Sequence, residues 1–303
     1  MVSAQIEGAR SVRSLASALV HRIRWRGKLL FSPEMHRVYR QERARAKSRH
    51  DDPRVSIVQL GNHERFRLLK IGDSSYYVPQ FVKNEDLAPI YNEVFCDTHP
   101  HFYEHGECKV RPNDVVIDAG ASEGFFTRFA LSRGARVIAV EPSLIWVDAL
   151  HQTFEREIAD GRVVVKRVCL GDRIGEASLS ISQDIGWVNG SKGGVWETVP
   201  LTTIDALLTS VPWEGCHFIK MDIEGAERTA VAGASDTLRR CRPSLSIAVY
   251  HHPTGYLDIR QDLRRQRLDY HVTAKGLQPR RAFQVPVLLH AWCDSALSRQ
   301  AQQ

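Results

Sequence analysis

The chain has 303 residues, 43% of them apolar, which suffices for one large domain with an appendage or for two modest domains. It has no unbroken apolar run near the roughly 20 residues of a transmembrane helix, and the apolar stretch at residues 15–20 is too short for a secretory signal peptide. The six cysteines are widely spaced without any C-x-x-C pair, which argues against a thiolate zinc site and a disulfide scaffold. We therefore expect reduced thiols and a cytoplasmic protein.

The formal net charge of +6 comes from an N-terminal arm. Residues 10–54 carry thirteen Lys or Arg against four acids, whereas the chain after residue 54 is slightly acidic. Apolar positions set among arginines predict a helix over residues 1–50, which Asp51-Asp52-Pro53 ends. We predict a basic helical arm at residues 1–54. It is either a solvated docking helix or a contact for an anionic partner or surface.

The next segment, residues 55–105, has the pattern of a small β and helical cap or linker. Apolar stretches at residues 55–60 and 67–71 flank a turn at Gly61-Asn62, and a third stretch follows at residues 75–78. Residues 84–106 then predict a helix and a loop that lead into the main domain.

Residues 106–303 predict a doubly wound, mostly parallel α/β domain, because short apolar runs alternate with helical segments. The predicted strands are residues 115–119, 136–140, 163–170, 177–181, 195–199, 217–222 and 244–250, with two more near Tyr270 and Val287. The predicted helices are residues 123–132, 143–159, 202–208 and 256–266, with a further helix between Asp222 and about Arg240.

The first strand of this domain ends in a turn of small residues, Asp118-Ala119-Gly120-Ala121-Ser122-Glu123-Gly124, before a helix. Such a turn lets a ligand lie against bare backbone beside a helix N-terminus. Ser122 stands where the dinucleotide fingerprint G-x-G-x-x-G has its second glycine, which admits a pyrophosphate. A nicotinamide-dependent dehydrogenase is therefore disfavoured, and a ligand without phosphates fits better.

Glu141 ends the second strand of the domain. An acid about twenty residues after the glycine turn of a doubly wound sheet accepts hydrogen bonds from ribose hydroxyls. The alternative is a carboxylate that stabilises the start of the helix after Pro142-Ser143. We favour ribose binding, because the turn and the acid are in register.

The block Lys220-Met221-Asp222-Ile223-Glu224-Gly225-Ala226-Glu227 follows another apolar strand, across the expected switch point of the sheet. With Asp118-Ala119-Gly120-Ala121, Gly124, Thr127, Glu141-Pro142 and Thr202-Thr203-Ile204-Asp205, it resembles the FkbM family of S-adenosylmethionine-dependent methyltransferases. The resemblance covers residues 103–292. It implies a class I, seven-stranded Rossmann-like methyltransferase fold with an N-terminal extension, S-adenosylmethionine as cofactor, S-adenosylhomocysteine as product, and O-methylation of a biosynthetic intermediate.

The resemblance also implies roles for individual residues. The glycine turn would shape the methionine end of the cofactor site, Glu141 would hold the ribose, and the end of the third strand would border the adenine. Glu123, where the family often has a neutral residue, would attract the sulfonium or cap the helix. The expected cofactor contacts are Asp118, Gly120, Ala121, Glu123, Gly124, Phe125, Thr127, Glu141, Pro142, Val168, Cys169, Asp172 and Asp222.

Four residues at the ends of two strands are candidates for the chemistry of methyl transfer. A hydroxyl acceptor must lose a proton, and His251 or His252 is suited to take it near neutral pH, unless these residues cap their strand. Asp222 is a candidate to orient the acceptor, to act as the base or to ligate a cation, or else it bonds amides of the next helix. Lys220 either neutralises charge on the acceptor or pairs with Asp222 or Glu224.

We expect no metal ion, because the chain lacks the tight H-x-x-x-H or C-x-x-C spacing of a metal motif. Asp222, Glu224 and His251 nevertheless offer the carboxylate and imidazole ligands that several divalent ions accept. The glycine-rich segment at residues 186–194 predicts either a lid over the acceptor or a plain hairpin loop.

The leading hypothesis is O-methylation of a small molecule or a glycan. A nucleic-acid methyltransferase would explain the basic arm, but no N/D-P-P-Y-like block follows Lys220 and the main domain is slightly acidic. A non-catalytic cofactor-binding module is a third hypothesis, against which the intact Asp118, Glu141 and Asp222 argue. The identity of the acceptor and the oligomeric state stay open.

Overall fold

A computed structural model of the protein describes residues 37–38, 40, 55–181, 186–187, 195–280 and 283–294. The predicted basic arm lies outside the described residues except for three positions, which are helical. The glycine-rich segment predicted as a lid or a hairpin loop also lies outside them, apart from Gly186 and Trp187. Across the described part of the chain, no helix combines the length and the apolarity needed to span a membrane.

The described residues form fourteen strands and eight fully bounded helices. The strands are β1 (Ile57–Asn62), β2 (Phe66–Ile71), β3 (Ser74–Pro79), β4 (Val115–Ala119), β5 (Arg136–Val140), β6 (Val163–Lys166), β7 (Cys169–Leu170), β8 (Gly175–Ile181), β9 (Gly186–Trp187), β10 (Val195–Thr202), β11 (Phe218–Met221), β12 (Ser244–Ala248), β13 (His271–Arg280) and β14 (Phe283–Trp292). The helices are α1 (Asn84–Phe95), α2 (Phe125–Ser132), α3 (Leu144–Thr153), α4 (Glu155–Ala159), α5 (Ile204–Thr209), α6 (Glu227–Ala232), α7 (Ser235–Cys241) and α8 (Gly255–Arg265).

The central sheet has seven strands in the order β13-β14-β12-β11-β4-β5-β6, in which β14 is antiparallel to both of its neighbours. Every residue of β4, β11 and β12 is buried, as expected for strands covered on both faces. The chain passes outward from β4 to β5 and β6, then returns to β11 on the other side of β4. This reversal is the switch point of the sheet, so the carboxyl ends of β4 and β11 border one crevice. The predicted seven-stranded, Rossmann-like class I methyltransferase fold is confirmed.

The segment predicted as a cap contains a three-stranded antiparallel sheet of β1, β2 and β3. Its buried side chains, Leu69 and Tyr76 among them, pack in the same apolar cluster as Phe125 of α2 and Leu150 of α3. The Tyr76 and Phe125 rings meet edge to face, with 4.9 Å between their centroids. The small sheet therefore shares a core with the central one.

Three elements that the sequence predicts as continuous are divided in the structure. The predicted strand at residues 163–170 forms β6 in the central sheet and β7, which pairs with β10 in a second sheet of order β7-β10-β8-β9. The predicted helix at residues 143–159 is interrupted at Phe154, and the helical stretch after β11 is interrupted at Gly233-Ala234. The prediction that each of these elements is continuous was wrong. The periodicity of apolar residues indicates the type of an element, but not the point at which tertiary packing interrupts it.

The six cysteines are free, as their spacing predicts. Cys108, Cys216 and Cys293 are buried, and burial raises the pKa of each of these thiols. They therefore act as small apolar packing residues and not as reactive thiolates.

Candidate active site

A cavity of about 520 Å³ opens at the carboxyl ends of β4, β5 and β11. Its lining includes Gly120, Ser122, Glu141 and Asp222 from the ends of these strands, and Trp146 from α3. Small-molecule sites commonly have volumes of roughly 300–1,000 Å³. Both the position and the size of this cavity are those of a ligand site at the switch point of a doubly wound sheet.

The turn between β4 and α2 depends on glycines in left-handed conformations. Gly120 has φ +77°, and a Cβ there would lie 1.9 Å from the carbonyl oxygen of Asp222. Gly124 has φ +79°, and its Cβ would lie 2.6 Å from the Phe154 ring. The two glycines therefore allow the loop after β11 and the end of α3 to approach this turn closely.

Asp118, Thr127 and Lys220 form a buried polar group at the ends of β4 and β11. Lys220 Nζ lies 3.0 Å from Asp118 Oδ1 and donates to two carbonyl oxygens of the glycine turn, at 2.6 and 3.3 Å. Thr127 Oγ1 donates to Asp118 Oδ2 at 2.7 Å. Burial opposes the charge of Lys220, but the carboxylates around it, Asp118 first, raise its pKa. Lys220 thus pairs with Asp118, and not with Asp222 or Glu224 as its sequence position suggested.

Glu141 links the two turns that border the cavity. Its Oε2 accepts the Ser122 amide at 3.1 Å, and its Oε1 accepts the Ser143 amide at 2.8 Å. Burial raises the pKa of Glu141 to about 7, although the two amides act in the opposite direction. A carboxylate has about four lone-pair sites, so about two acceptor positions remain for a ligand. Both hypotheses for Glu141 are therefore compatible, since it bonds the amide that precedes α3 and also lines the cavity.

The part of the cavity lining near β7 contains residues that the sequence predicted there and two that it did not. Val168, Cys169 and Asp172, predicted to border an adenine, line it near β7. Trp146 of α3 and Trp196 of β10 also line it, and Trp196 is 55% exposed. Sequence reasoning missed both tryptophans, because an aromatic residue in a helix or strand is more often part of the core.

The predicted cofactor contacts fall into two groups. Those that line the cavity are Gly120, Glu141, Pro142, Val168, Cys169, Asp172 and Asp222. Those that lie outside its lining are Asp118, Ala121, Glu123, Gly124, Phe125 and Thr127. Burial raises the pKa of Glu123, and Phe125 and Thr127 are buried in the core. The second group therefore supports the turn between β4 and α2, from which Gly120 reaches the cavity.

Asp222 is surrounded by two tyrosines and two histidines, named here the Asp222 cluster: Tyr103, Tyr250, His101 and His251. Tyr103 Oη donates to Asp222 Oδ2 at 2.8 Å, and Tyr250 Oη donates to Oδ1 at 3.4 Å. His101 Nε2 lies 3.5 Å from Oδ2, and His251 Nε2 lies 3.5 Å from Oδ1. These contacts hold the carboxylate in one orientation at the wall of the cavity.

His101 brings a positive charge to this cluster. Burial opposes its protonation, but hydrogen bonds and charge interactions with Asp222 and Glu93 raise the pKa of His101 to about 9. Its Nδ1 lies 3.1 Å from Glu93 Oε2. Burial also opposes the charge of Asp222, but the hydrogen bond and the charge of His101 lower the pKa of Asp222 well below its ordinary value. Asp222 is thus an ionised and weakly basic carboxylate, which fits orienting or ligating roles better than the role of a base.

His251 is the predicted catalytic histidine that the structure brings to Asp222. Its Nδ1 lies 2.8 Å from Glu227 Oε1, and its Nε2 lies 3.4 Å from Glu224 Oε2. Glu227 Oε1 also accepts two backbone amides of the turn before α6, at 3.0 and 3.2 Å. Burial disfavours the charged imidazole, but Glu227 and the other carboxylates raise the pKa of His251. The turn between β11 and α6 therefore fixes the orientation of His251 through Glu227.

The structure separates the second histidine from the site and adds residues that the sequence did not single out. His252 is exposed and contacts a neighbouring threonine, outside the Asp222 cluster. Glu93, His101 and Tyr103 instead lie in α1 and the loop after it. Tyr103 is 119 residues from Asp222 along the chain. No motif marks these residues, because their role depends on a contact between distant segments.

Residues 118–272, just over half of the chain, match the profile of the Methyltransferase FkbM domain. The chain is 26% identical over 182 residues to the 31-O-demethyl-FK506 methyltransferase FkbM of Streptomyces tacrolimicus, an alignment that covers 48% of this chain and 68% of that protein. It is 41% identical over 51 residues to the probable ribosomal RNA small subunit methyltransferase A of Methanospirillum hungatei JF-1, covering 17% of this chain and 20% of that one.

Among solved structures, the methyltransferase FkbM of Methylobacillus flagellatus KT aligns with a TM-score of 0.45 at 21% identity. The alignment covers 70% of this chain, which spans only 56% of the length of that one. The matched domain contains the glycine turn, Glu141, Asp222 and His251, which the fold brings to one crevice. This chain belongs to the FkbM family of methyltransferases.

Proposed function

We propose that this protein transfers the methyl group of S-adenosylmethionine to a hydroxyl group of a small molecule or glycan intermediate. The observation that carries the proposal is one cavity with two chemically distinct sides. One side has the buried Glu141 carboxylate, and the other has Asp222 held by two tyrosines and two histidines.

The residues around the cavity fit a nucleoside with a cationic substituent. Glu141 has acceptor positions left for the two hydroxyls of a ribose. The Ser122 amide, which a phosphate would need, already donates to Glu141, and the carboxylate itself repels a phosphate. When bound, S-adenosylmethionine supplies a methyl group that its sulfonium has already activated. The Asp222 carboxylate in the cavity lining favours that positive charge.

We assign the acceptor to the Asp222 side of the cavity, because the ribose of the cofactor would take the Glu141 side. An acceptor hydroxyl must lose its proton and lie within about 3 Å of the methyl carbon, in line with the departing sulfur. Asp222, held in place by Tyr103 and His101, gives the cavity a fixed polar wall that is suited to orient such a hydroxyl. His251 contacts Asp222 and is the residue predicted to remove the proton of the acceptor hydroxyl.

A small acceptor suits the charge of the cavity better than a nucleic acid. The charged lining residues are four acids, Glu141, Asp172, Asp222 and Glu224, and one cation, Arg173, among the described residues. A phosphodiester chain is bound through Lys and Arg, and acids at the entrance repel it. The name of the Streptomyces relative also refers to O-methylation of a small molecule.

Calorimetric titration with S-adenosylhomocysteine tests the cofactor assignment. We expect saturable binding by the wild type, at least a tenfold loss of affinity in Glu141→Ala, and no binding of NAD. Glu157→Ala is the matched control, because Glu157 is a shielded acid that pairs with Arg128 away from the cavity. Equal affinities of the wild type and Glu141→Ala, or no binding by folded wild type, would contradict the assignment.

A further inference from the structure

Asp222, Glu224 and His251 present one ligand atom each to a common point. These three atoms lie within 4.8 Å of one another. His251 Nε2 is 3.5 Å from Asp222 Oδ1 and 3.4 Å from Glu224 Oε2. The two carboxylates line the cavity, so the group lies at its wall and not in the closed core.

The second observation is the state of His251 Nε2. The His251 side chain is only 9% exposed, and its buried Nε2 has no hydrogen-bond partner among the described residues. The two nearby carboxylates do not meet hydrogen-bond geometry with it. A buried polar nitrogen normally has a partner, so an unpartnered one that faces two carboxylates calls for an explanation.

Glu227 supplies a supporting contact of the kind found around bound metals. Its Oε1 lies 2.8 Å from His251 Nδ1, and it also accepts the amides of Ile223 and Gly225. With Nδ1–H donated to Glu227, the lone pair of Nε2 faces Asp222 and Glu224. Metal-binding histidines almost always donate their other ring N–H to a carboxylate or carbonyl in this way.

We propose that Asp222, Glu224 and His251 form a divalent-cation site at the acceptor side of the cavity. Two carboxylate oxygens and one imidazole nitrogen suit a divalent transition-metal ion such as Mn²⁺, with open positions for the oxygens of an acceptor. A cation there lowers the pKa of a bound hydroxyl and orients its oxygen. This role in activation depends on the proposed methyl transfer, whereas binding of the cation does not.

The site also accounts for the arrangement of its neighbours. His101 and Tyr103 contact Asp222 Oδ2, the oxygen opposite the one that faces His251. They leave Oδ1 directed toward the proposed cation, with Tyr250 Oη at 3.4 Å. Glu224 has φ +57°, in the left-handed region that residues with a side chain rarely adopt. It lies in the turn that Glu227 holds by accepting the amides of Ile223 and Gly225. The proposed ligands come from two separate turns, so they form no compact metal motif in the sequence.

The test is titration of chelator-treated full-length protein with Mn²⁺ alone, followed by the electron paramagnetic resonance signal of free Mn²⁺. We expect one Mn²⁺ per chain, with affinity reduced at least tenfold in His251→Ala and in Glu224→Gln. Glu224 is 30% exposed, so its conservative variant tests the site even if His251→Ala unfolds. His252→Ala, which removes the adjacent exposed histidine, should bind Mn²⁺ as the wild type does.

No Mn²⁺ binding at millimolar concentration, or binding that survives both substitutions, would overturn the cation site and leave His251 as the candidate base. The outcome is independent of the cofactor titration. Mn²⁺ binding without S-adenosylhomocysteine binding would refute the proposed function and keep the cation site. S-adenosylhomocysteine binding without Mn²⁺ binding would refute the cation site and keep the proposed function.

Discussion

At the scale of single residues, the most consequential pair is Asp118 with Lys220. Both side chains are buried, and their ion pair joins the ends of two central strands. Breaking a buried pair by removing one partner leaves an uncompensated charge in the core. Neither residue lines the cavity. Their contribution to function is therefore the geometry of the switch point.

We predict that Lys220→Met lowers the free energy of unfolding by about 3–5 kcal/mol, the usual cost of removing one member of a buried pair. The double variant Asp118→Asn/Lys220→Met should lose less than the sum of the two single losses, because it leaves no unpaired charge. Urea denaturation of the four proteins measures this. Strictly additive losses would show that the pair is not coupled.

At the scale of elements, the loops at the switch point are locked together by backbone contacts. Gly120 in the turn after β4 lies against the carbonyl of Asp222 in the loop after β11. Ser122 in the same turn donates to Glu141 at the end of β5. A displacement of this one turn therefore disturbs both sides of the cavity.

We expect Gly120→Ala to cost about 3 kcal/mol or more, because a left-handed alanine costs about 1–2 kcal/mol and the overlap with backbone adds a packing penalty. Gly161→Ala is the matched control: Gly161 also has a left-handed φ, of +68°, but nothing lies within 4 Å of its Cβ position. It should show only the conformational cost. Similar unfolding midpoints for the two variants would refute the steric argument.

At the scale of the whole molecule, the central sheet buries polar groups as well as apolar ones. His290 of β14 is fully buried and pairs in register with Ser246 of β12. Burial lowers the pKa of His290 well below its ordinary value, and the nearby Lys275, His105 and His101 lower it further. The folded protein therefore keeps this imidazole neutral.

This predicts that the contribution of His290 to stability falls in mild acid. Below pH about 6.5 an unfolded histidine binds a proton that folded His290 excludes, so this contribution falls by up to about 1.4 kcal/mol per pH unit. Glu141, whose pKa is raised to about 7, acts in the opposite direction, but it does so equally in a His290→Leu variant. The melting temperature of His290→Leu should therefore rise relative to that of the wild type as the pH falls from 6.5 to 5. If the difference between the two melting temperatures stays constant over that range, His290 is not a responsible group.

The sequence by itself determined the inner strands of the central sheet and the strand ends that border the cavity. Buried apolar runs predict β4, β5, β11 and β12, since parallel strands covered on both faces have few polar residues. The glycine turn and Glu141 were found because both are local, each following directly from the end of a strand. The same reasoning located Asp222 and His251 at adjacent strand ends.

Only the tertiary structure decided which side chains meet. Tyr103, His101 and Glu93 reach Asp222 from a segment that carries no motif. It also assigned Lys220 to Asp118 and excluded His252 from the Asp222 cluster. Strand ends follow from local periodicity, whereas the partners of a side chain depend on how distant segments pack and on the rotamers that this packing permits.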